Sequence, residues 1–387
     1  MSLHFIFGRA GTGKTTRCCR EIQEYLKKTP GGRAYLLVPD QGTYTAEYLL
    51  AKSFPGAGFI DVTVCGFSRL AYRVFQELHS PVADALSPLG QQIILRRLLD
   101  AHKDELQVIL RAASQPHFSE KLTAFFHQLD MFLVTEDDLL AASQREGETP
   151  LGKKLADLSL LYKAYHDYLR MHFAYEGSLF DLLAREIPKS EKLRGSHIWI
   201  DGFNGMAPQK IRIVSALVHT AEEVTMTLQM DSPEEAAENP NFARPYQLYS
   251  QLQGAIRHSS SIVLTEEKRF RTSDLSLMAR HFFERHARPR PEDGRVKEGL
   301  HLITAESPKE EVDLISRTIT SLVRDKGLRY RDILVLSRTP ENYSDLFTRS
   351  FATYGIPGFI DEKHPMNNHP LVMLTSFLLQ FLAKETG

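Results

Sequence analysis

The chain has 387 residues, 42% hydrophobic residues, three cysteines and a formal net charge of -1. This length predicts two or three domains, and the balanced charge argues against a globally basic nucleic-acid binder without excluding a local basic groove. Three cysteines make neither a disulfide framework nor a metal cage, which favours a reducing, cytoplasmic compartment.

The amino-terminal part alternates apolar runs with helical segments. Apolar runs at residues 4–8, 34–39 and 61–67 predict three strands, and a helical segment at 14–28 follows the first of them. Strands separated by helical stretches indicate crossover connections and a parallel sheet. The first apolar run lacks the basic leader and cleavage site of a signal peptide. We therefore expect an α/β unit in the cytoplasm, with no membrane contact.

A phosphate-loop pattern, G-x-x-x-x-G-K-[ST], occupies residues 8–15, between a predicted strand and a predicted helix. In this context backbone N–H groups and the amino end of the helix point at phosphates. Lys14 is expected to reach the β and γ phosphates of ATP, and Thr15 to place its hydroxyl on Mg²⁺. The alternative is a chance glycine turn. The predicted nucleotide-binding residues of the loop are Gly8, Arg9, Ala10, Gly11, Thr12, Gly13, Lys14, Thr15 and Thr16.

The pattern becomes helical between residues 88 and 180. Segments 91–102, 120–133 and 155–172 carry apolar residues at spacings of three and four. We interpret this part as a helical bundle, because nothing with metal-binding or catalytic spacing interrupts its apolar stripes. The longest stripe consists of Leu151, Leu155, Leu158, Leu161, Tyr162, Tyr165 and Leu169.

Strand signals return at residues 197–202 and 223–230, and Asp201 follows the strand-prone residues of the first. A nucleotide-hydrolysing motor needs a carboxylate at the end of a strand near the phosphate loop, where it holds Mg²⁺ through water. We predict that Asp201 is this catalytic residue and shares the Mg²⁺ site with Thr15. The alternative is an aspartate in an Asp-Gly turn that ends a strand.

The carboxy-terminal part begins with a segment rich in Arg, Pro and His at residues 279–299, which we interpret as a linker. Its Phe and Arg side chains leave open a second interpretation, in which they stack on bases and contact phosphates. Strands are predicted at 300–305 and 332–337, with a helix between them. The apolar run 371–383 predicts a buried helix that is too short to span a bilayer.

Several segments follow the order of motifs in superfamily 1 DNA helicases. "VTVCGFSRLA" (62–71) resembles their T-F-H-x-L-A segment, and "GSLFDLLAREI" (177–187) resembles D-F-x-D-L-L. "WIDGFNGMAPQ" (199–209) is similar to I-D-E-F-Q-D-x-x-x-x-Q, and "DILVLSRTPENY" (332–343) resembles the start of their second motor domain. The resemblance implies that Arg338 contacts the γ-phosphate from across an interdomain cleft. A solvated turn residue is the alternative.

Two departures from the helicase pattern indicate which helicase-like family the chain resembles. The usual Asp-Glu pair is Asp201-Gly202 here, and only seven residues precede Gly8, so the usual upstream glutamine that reads adenine is missing. With these features the whole chain resembles the AddB family, one of the two subunit types of bacterial AddAB helicase–nucleases.

Membership would imply ATP and Mg²⁺ as cofactors, single-stranded DNA and duplex ends as substrates, and an AddA-type helicase–nuclease subunit as the partner in a heterodimer. The family's nuclease domain and four-cysteine iron–sulfur cluster belong to a carboxy-terminal part. The chain lacks those cysteines and any D…E-x-K site that we can find. We therefore expect the amino-terminal portion of a longer protein, with no nuclease of its own.

The expected fold class is α/β, with a P-loop (RecA-like) parallel sheet flanked by helices, an all-α insertion and the start of a second RecA-like domain. We assign residues 1–86 and 178–278 to the first RecA-like domain, 87–177 to the insertion, 279–299 to the linker and 300–387 to the second domain.

Three functions stay open at this point. The first is a DNA-processing subunit that binds ATP and hydrolyses it poorly. The second is a small-molecule kinase, although a kinase would be one compact domain of about 200 residues, without a large insertion or a second α/β start. The third is a scaffold with a vestigial nucleotide site.

Overall fold

The computed structural model describes residues 2–54, 61–80, 87–113, 115, 117–173, 179–256, 259–270, 272–281, 299–361 and 366–385. The chain divides into two compact units, Met1–Arg295 and Val296–Gly387. The division falls within the predicted linker 279–299, most of which lies outside the described residues. The finer domain bounds stay a prediction.

Unit 1 alternates strands and helices at both ends and is helical in the middle. Its first elements are β1 (Ser2–Gly8), α1 (Lys14–Lys28), β2 (Ala34–Leu37), α2 (Thr43–Ser53), β3 (Val62–Cys65) and α3 (Phe67–Leu78). The helical part comprises α4 (Pro88–Ala101), α5 (Leu110–Ala113), α6 (Phe118–Phe132), α7 (Glu136–Glu146) and α8 (Pro150–Phe173). The remaining elements are α9 (Leu179–Glu186), β4 (His197–Ile200), α10 (Pro208–Thr220), β5 (Glu223–Leu228), α11 (Pro233–Glu238), α12 (Ala243–Ala255), β6 (Ser259–Leu264) and α13 (Ser273–His281).

The six strands form one all-parallel sheet in the order β3-β2-β4-β5-β1-β6. This confirms the predicted α/β class, and the helix-flanked parallel sheet is of the RecA-like type. Five of the strands coincide with the predicted apolar runs of unit 1. Strand β6 was not predicted, because it begins with three serines and its side chains are exposed or half-buried.

Side chains alternate across the sheet and build a core on each face. In β1, Phe5 and Phe7 join the core with α3, α9, α10 and α12, whereas Ile6 packs on the other face with α1 and α2. All parallel strands end at one edge, so Gly8, Ile200 and Leu228 bring their carboxyl ends together. Ligands of open α/β sheets bind at this edge.

The middle helices have a core of their own. Leu158, Leu161, Tyr162, Tyr165 and Leu169 of the predicted stripe are buried in it. The two amino-terminal members of the stripe differ, since Leu155 is only partly buried and Leu151 is exposed.

Unit 2 contains the helices α14 (Pro308–Lys326), α15 (Ser344–Tyr354) and α16 (Pro370–Glu385). The strands predicted at 300–305 and 332–337 are wrong, because the described residues of this unit form no strand. A strand needs a neighbour for its backbone hydrogen bonds. These two segments instead line a cavity of about 770 Å³ beside α14.

The helix predicted at 371–383 is present as α16, but its predicted burial is wrong. Leu371, Leu374, Phe377, Leu378 and Phe381 are each more than half exposed, since the described residues of unit 2 supply no surface that covers them. Within the described part of the chain, no helix combines the length and apolarity that crossing a bilayer requires.

Asp157 is a buried carboxylate inside the helical part. It accepts hydrogen bonds from the backbone N–H groups of Gln107, Val108 and Ile109, at 3.0, 2.8 and 2.9 Å between nitrogen and oxygen. These three groups have no helical partner before α5 begins, so the carboxylate fixes the entry of the chain into that helix.

We predict that Asp157→Ala lowers the free energy of unfolding by at least about 2 kcal/mol, because buried donors lose their acceptor. Denaturant unfolding of the variant measures the loss. Asp157→Asn keeps one acceptor oxygen and is expected to lose less. Asp167→Ala, on the same helix but in a surface pair with Arg170, is the control and is expected to lose at most about 1 kcal/mol. Equal losses at the two positions would contradict this role of Asp157.

Candidate functional site

The loop between β1 and α1 has the backbone that a phosphate loop needs. Gly11 and Gly13 both have φ of 87°, in the left-handed region that favours glycine, and Gly13 is the N-cap of α1. A Cβ atom on Gly8 would lie 2.4 Å from Thr12 Oγ1, because the loop closes tightly on its own start. The Thr12 hydroxyl donates to the Arg9 carbonyl at 2.9 Å. Glycine is therefore required at these turns.

The side chain of Lys14, which is predicted to bind phosphates, lies along the phosphate loop. Its Nζ atom donates to the carbonyl oxygens of Gly8 at 2.6 Å and Arg9 at 2.9 Å. Burial lowers the pKa of Lys14, while the negative charge of Asp201 acts in the opposite direction. A bound phosphate would raise this pKa again, because it adds negative charge beside the ammonium group.

Asp201 follows β4 and lies against the start of α1. Its Oδ2 atom accepts a hydrogen bond from Thr15 Oγ1 at 2.6 Å, and its Oδ1 atom accepts one from Thr227 Oγ1. Thr227 belongs to β5, the strand between β4 and β1, and Asp201 is buried. The structure thus brings together the two residues that the sequence predicts for the metal site, although their sequence positions are far apart.

The oxygen atoms of Thr15 and Asp201 fit a Mg²⁺ ion of the kind that accompanies nucleotides. Such an ion takes few ligands from the protein, because nucleotide phosphates and water supply the others. The described residues contain no group of three or more His, Cys, Asp or Glu side chains placed to hold a metal by themselves. A Mg²⁺ site here would therefore depend on the nucleotide.

A cavity of about 410 Å³ opens at this edge of the sheet. The predicted nucleotide residues that line it are Ala10, Gly11, Gly13, Lys14, Thr15 and Thr16, and Asp201 lines it as well. Gln229, which follows β5, and Leu49 of α2 extend the cavity along the sheet edge.

Lys268 and Arg269 also line this cavity, and the sequence analysis missed both. They follow β6, which pairs with β1, so the sheet carries them to the phosphate loop. The backbone N–H of Lys268 donates to the Gly11 carbonyl at 2.9 Å. A Cβ atom on Gly11 would lie 2.9 Å from Arg269 Cβ. The available signal was the basic "KRFR" stretch, which gains meaning only once β6 is known.

The side chain of Arg9 forms an ion pair with another residue of the same chain. Its Nε and Nη2 atoms bind the two carboxylate oxygens of Asp231 at 2.7 and 2.6 Å. The backbone of Arg9 stays part of the loop, whereas its guanidinium group is engaged in this pair. A direct contact between this guanidinium and a phosphate is therefore not the role that the geometry favours.

Gly202 occupies the position where superfamily 1 helicases carry glutamate. Its φ is 82°, and a Cβ atom there would lie 3.3 Å from Pro39 Cδ. A side chain in the left-handed region costs about 1–2 kcal/mol. The difference from the helicase pattern thus involves the backbone as well as the missing carboxylate.

Arg338 is an exposed residue of unit 2, and its predicted contact with the γ-phosphate stays a prediction. The three cysteines are buried free thiols. Cys18 and Cys19 pack on one face of the sheet and Cys65 on the other, so they do not form one metal cluster. Burial raises the pKa of Cys19 and Cys65 to about 11.

Comparison with known proteins gives the family. The sequence model described as "ADDB, N-terminal" matches residues 5–279. The chain is 35% identical to a protein of Pelotomaculum thermopropionicum over 399 aligned residues, which cover all of the chain and 34% of that relative. The chain belongs to the AddB family. Relatives in Geobacillus kaustophilus and Bacillus subtilis are also 35% identical, over 98% and 96% of the chain.

These three relatives of the AddB family are each named as the B-type subunit of an ATP-dependent helicase/deoxyribonuclease. The chain spans about a third of the length of the relatives, at 34%, 34% and 33%. The resemblance read from the sequence is therefore confirmed at the level of the family.

We predict that Lys14→Ala weakens ATP·Mg²⁺ binding at least about tenfold, because a charge-assisted contact with the phosphates is lost. Isothermal titration of the purified chain measures the affinity. Lys28→Ala, at the exposed carboxyl end of the same helix, is the control and should bind like the unaltered chain. Unchanged affinity in Lys14→Ala would remove the assignment of the loop.

Proposed function

We propose that this chain is the ATP·Mg²⁺-binding, helicase-like part of one subunit of a heterodimeric helicase–nuclease. In this proposal the enzyme processes DNA double-strand ends for recombinational repair in the cytoplasm. The observation that carries the nucleotide site is the hydrogen bond between Thr15 and Asp201 beside a glycine-shaped phosphate loop. The names of the AddB relatives support the use of ATP and the action on DNA.

The names of the AddB relatives also support a partner subunit and DNA substrates. Relatives named as one subunit of an enzyme imply a second, which we propose is of the AddA type, with single-stranded DNA and duplex ends as substrates. The iron–sulfur cluster and the nuclease of the family would lie in residues beyond those of this chain. We propose no nuclease activity for the 387 residues themselves.

Each group of the site has a role in binding ATP. In this proposal backbone N–H groups of the loop bind the phosphates, and Lys14 donates to the β and γ phosphates. Thr15 and Asp201 would hold Mg²⁺, the aspartate through water. Lys268 and Arg269 add two positive charges at the same cavity. Together, the positive charges of Lys14, Lys268 and Arg269 favour a highly charged anion such as a triphosphate.

We propose further that the site hydrolyses ATP poorly. Hydrolysis requires a bound Mg²⁺, an oriented water molecule and neutralisation of charge on the γ-phosphate. The chain offers Thr15 and Asp201 for the metal, but Gly202 has no side chain to orient water. An arginine from a second motor domain is worth roughly 10³–10⁵ in rate, and Arg338 is the candidate here. Binding would then brace the subunit or signal to the partner motor.

Single-turnover hydrolysis of ATP in the presence of single-stranded DNA tests this proposal. We expect a rate well below the roughly 10 s⁻¹ that is the median for enzymes, while ATP still binds. A rate of that order would contradict the proposal of poor hydrolysis, and a chain that binds no ATP would support the scaffold with a vestigial site instead.

The role of Gly202 is tested by comparing Gly202→Glu with Gly202→Ala. Both variants strain the left-handed backbone, so both are expected to unfold about 1–2 kcal/mol more easily. Only the glutamate can orient water, and we expect its single-turnover rate to exceed that of the alanine variant by on the order of 10²-fold. Equal rates in two folded variants that both bind ATP would show that the missing carboxylate does not limit hydrolysis.

A further inference from the structure

Arg9 and Asp231 form a two-pronged ion pair that we name the clamp. Their nitrogen–oxygen distances are 2.7 and 2.6 Å, and the side chains are only 28% and 18% exposed. The Phe242 ring lies 5.5 Å from the guanidinium carbon. Bidentate pairs of arginine and carboxylate are charge-assisted and hold a fixed geometry. The clamp therefore fixes the second residue of the phosphate loop to the segment after β5.

The residues after β6, 267–270 and 272–281, are tied to the same loop; we name them the cover segment. At its start, Lys268 N–H donates to the Gly11 carbonyl at 2.9 Å. Near its end, Arg9 Nη1 donates to the Arg280 carbonyl at 3.1 Å. The loop thus holds both ends of the cover segment.

An internal bond closes the cover segment on itself. Arg280 Nε donates to Glu267 Oε1 at 2.8 Å, and the Ser276 hydroxyl donates to the other oxygen of Glu267. The hydrogen bond from Arg280 is the main cause of a lowered pKa of Glu267. A carboxylate that stays charged keeps the two ends of the segment together.

The apolar packing of the cover segment is limited. Among the described residues of its helix, α13, none is fully buried, and Leu275 and Leu277 are half-buried. Helices with few buried apolar contacts open at low free energy. The polar contacts that link the cover segment to Gly11 and Arg9 therefore contribute to the order of α13.

A bound phosphate would change the loop at these same contacts. Lys14 Nζ uses two of its three donors on the carbonyl oxygens of Gly8 and Arg9, so a phosphate that takes the third lies beside the backbone of Arg9. Positions 11 and 13 face the cover segment closely, since a Cβ atom on Gly13 would lie 3.3 Å from Lys268 Cδ. Negative charge in the cavity would also attract Lys268 and Arg269, which line it.

We propose that the clamp couples ATP binding at the phosphate loop to the order of α13, with Arg9 acting as a positioning residue. The proposal rests on the proposed function, since it requires ATP to bind. Phosphates draw in the start of the cover segment through its cations, and Arg9 holds its end. Binding of ATP·Mg²⁺ therefore tightens the whole segment, including residues that do not line the cavity.

Hydrogen exchange on the full 387-residue chain, with and without ATP·Mg²⁺, tests the coupling. We expect ATP to slow exchange of the α13 amides about tenfold, within the usual range of coupling between sites. In Arg9→Gln, ATP at saturating concentration should slow the exchange of the α13 amides by less than about twofold. Asp231→Asn should also reduce the slowing, because it removes the ion pair that holds the Arg9 guanidinium in place. The double variant should be no worse than Arg9→Gln, which already removes the ion pair and the bond to the Arg280 carbonyl.

Arg17→Gln is the matched control, because Arg17 forms its ion pair with Glu21 within α1 and should retain the full effect. Titration with ATP on each variant separates the outcomes. A chain that binds no ATP contradicts the proposed function, and this inference with it. ATP that binds without slowing α13 exchange overturns the inference alone, as does equal slowing in both single clamp variants and the unaltered chain. If Arg9→Gln does not fold, Asp231→Asn, which leaves the loop sequence intact, decides.

Discussion

The hydrogen-bonded chain from Thr15 through Asp201 to Thr227 is the constraint on which the rest of unit 1 depends. It joins the start of α1 to the end of β4 and to β5, the strand that separates β4 from β1. A buried carboxylate is costly unless it is well hydrogen-bonded. Two threonine hydroxyls meet that demand, and they do so only if the three strands keep the observed order and register. The same geometry leaves the oxygens of Thr15 and Asp201 at the edge where Mg²⁺ would join a nucleotide.

The residues around these three hydrogen-bonded side chains are the basis of our proposal that the site binds ATP and hydrolyses it poorly. Lys14 already lies beside the loop, and further cations from Lys268 and Arg269 reach the cavity. The residue after Asp201 does not favour hydrolysis in the same way, because Gly202 has a left-handed backbone that disfavours most side chains. In the function that we propose, this local structure would stabilise a bound anion and would give little help to an attacking water molecule. In that proposal the chain acts through the conformation that a nucleotide imposes, and the partner subunit performs the mechanical work.

Sequence reasoning found those parts of the molecule where local pattern and tertiary context agree. The runs that became β1 to β5 are apolar because both faces of the sheet are covered, and the phosphate loop requires glycines at fixed positions. It missed β6, because this strand lies at an exposed edge of the sheet, begins with serines and lacks a long apolar run. With β6 it also missed Lys268 and Arg269. It could not foresee that the Arg9 side chain binds Asp231, because such a long-range pair depends on strand order. Its errors at 300–305 and 332–337 have a similar origin, since strand propensity alone does not supply a pairing neighbour.

The distribution of thiols over the two faces of the sheet gives the molecule a built-in probe of its unfolding. Cys18 and Cys19 belong to α1 and are buried with α2 on one face of the sheet, and Cys65, at the end of β3, is buried with α3 on the opposite face. Burial raises their pKa values, which keeps them in the unreactive protonated form. Alkylation at Cys65 therefore reports opening of one layer of helices, and alkylation at Cys18 or Cys19 reports opening of the other. The order in which an alkylating reagent modifies them would reveal which layer detaches first.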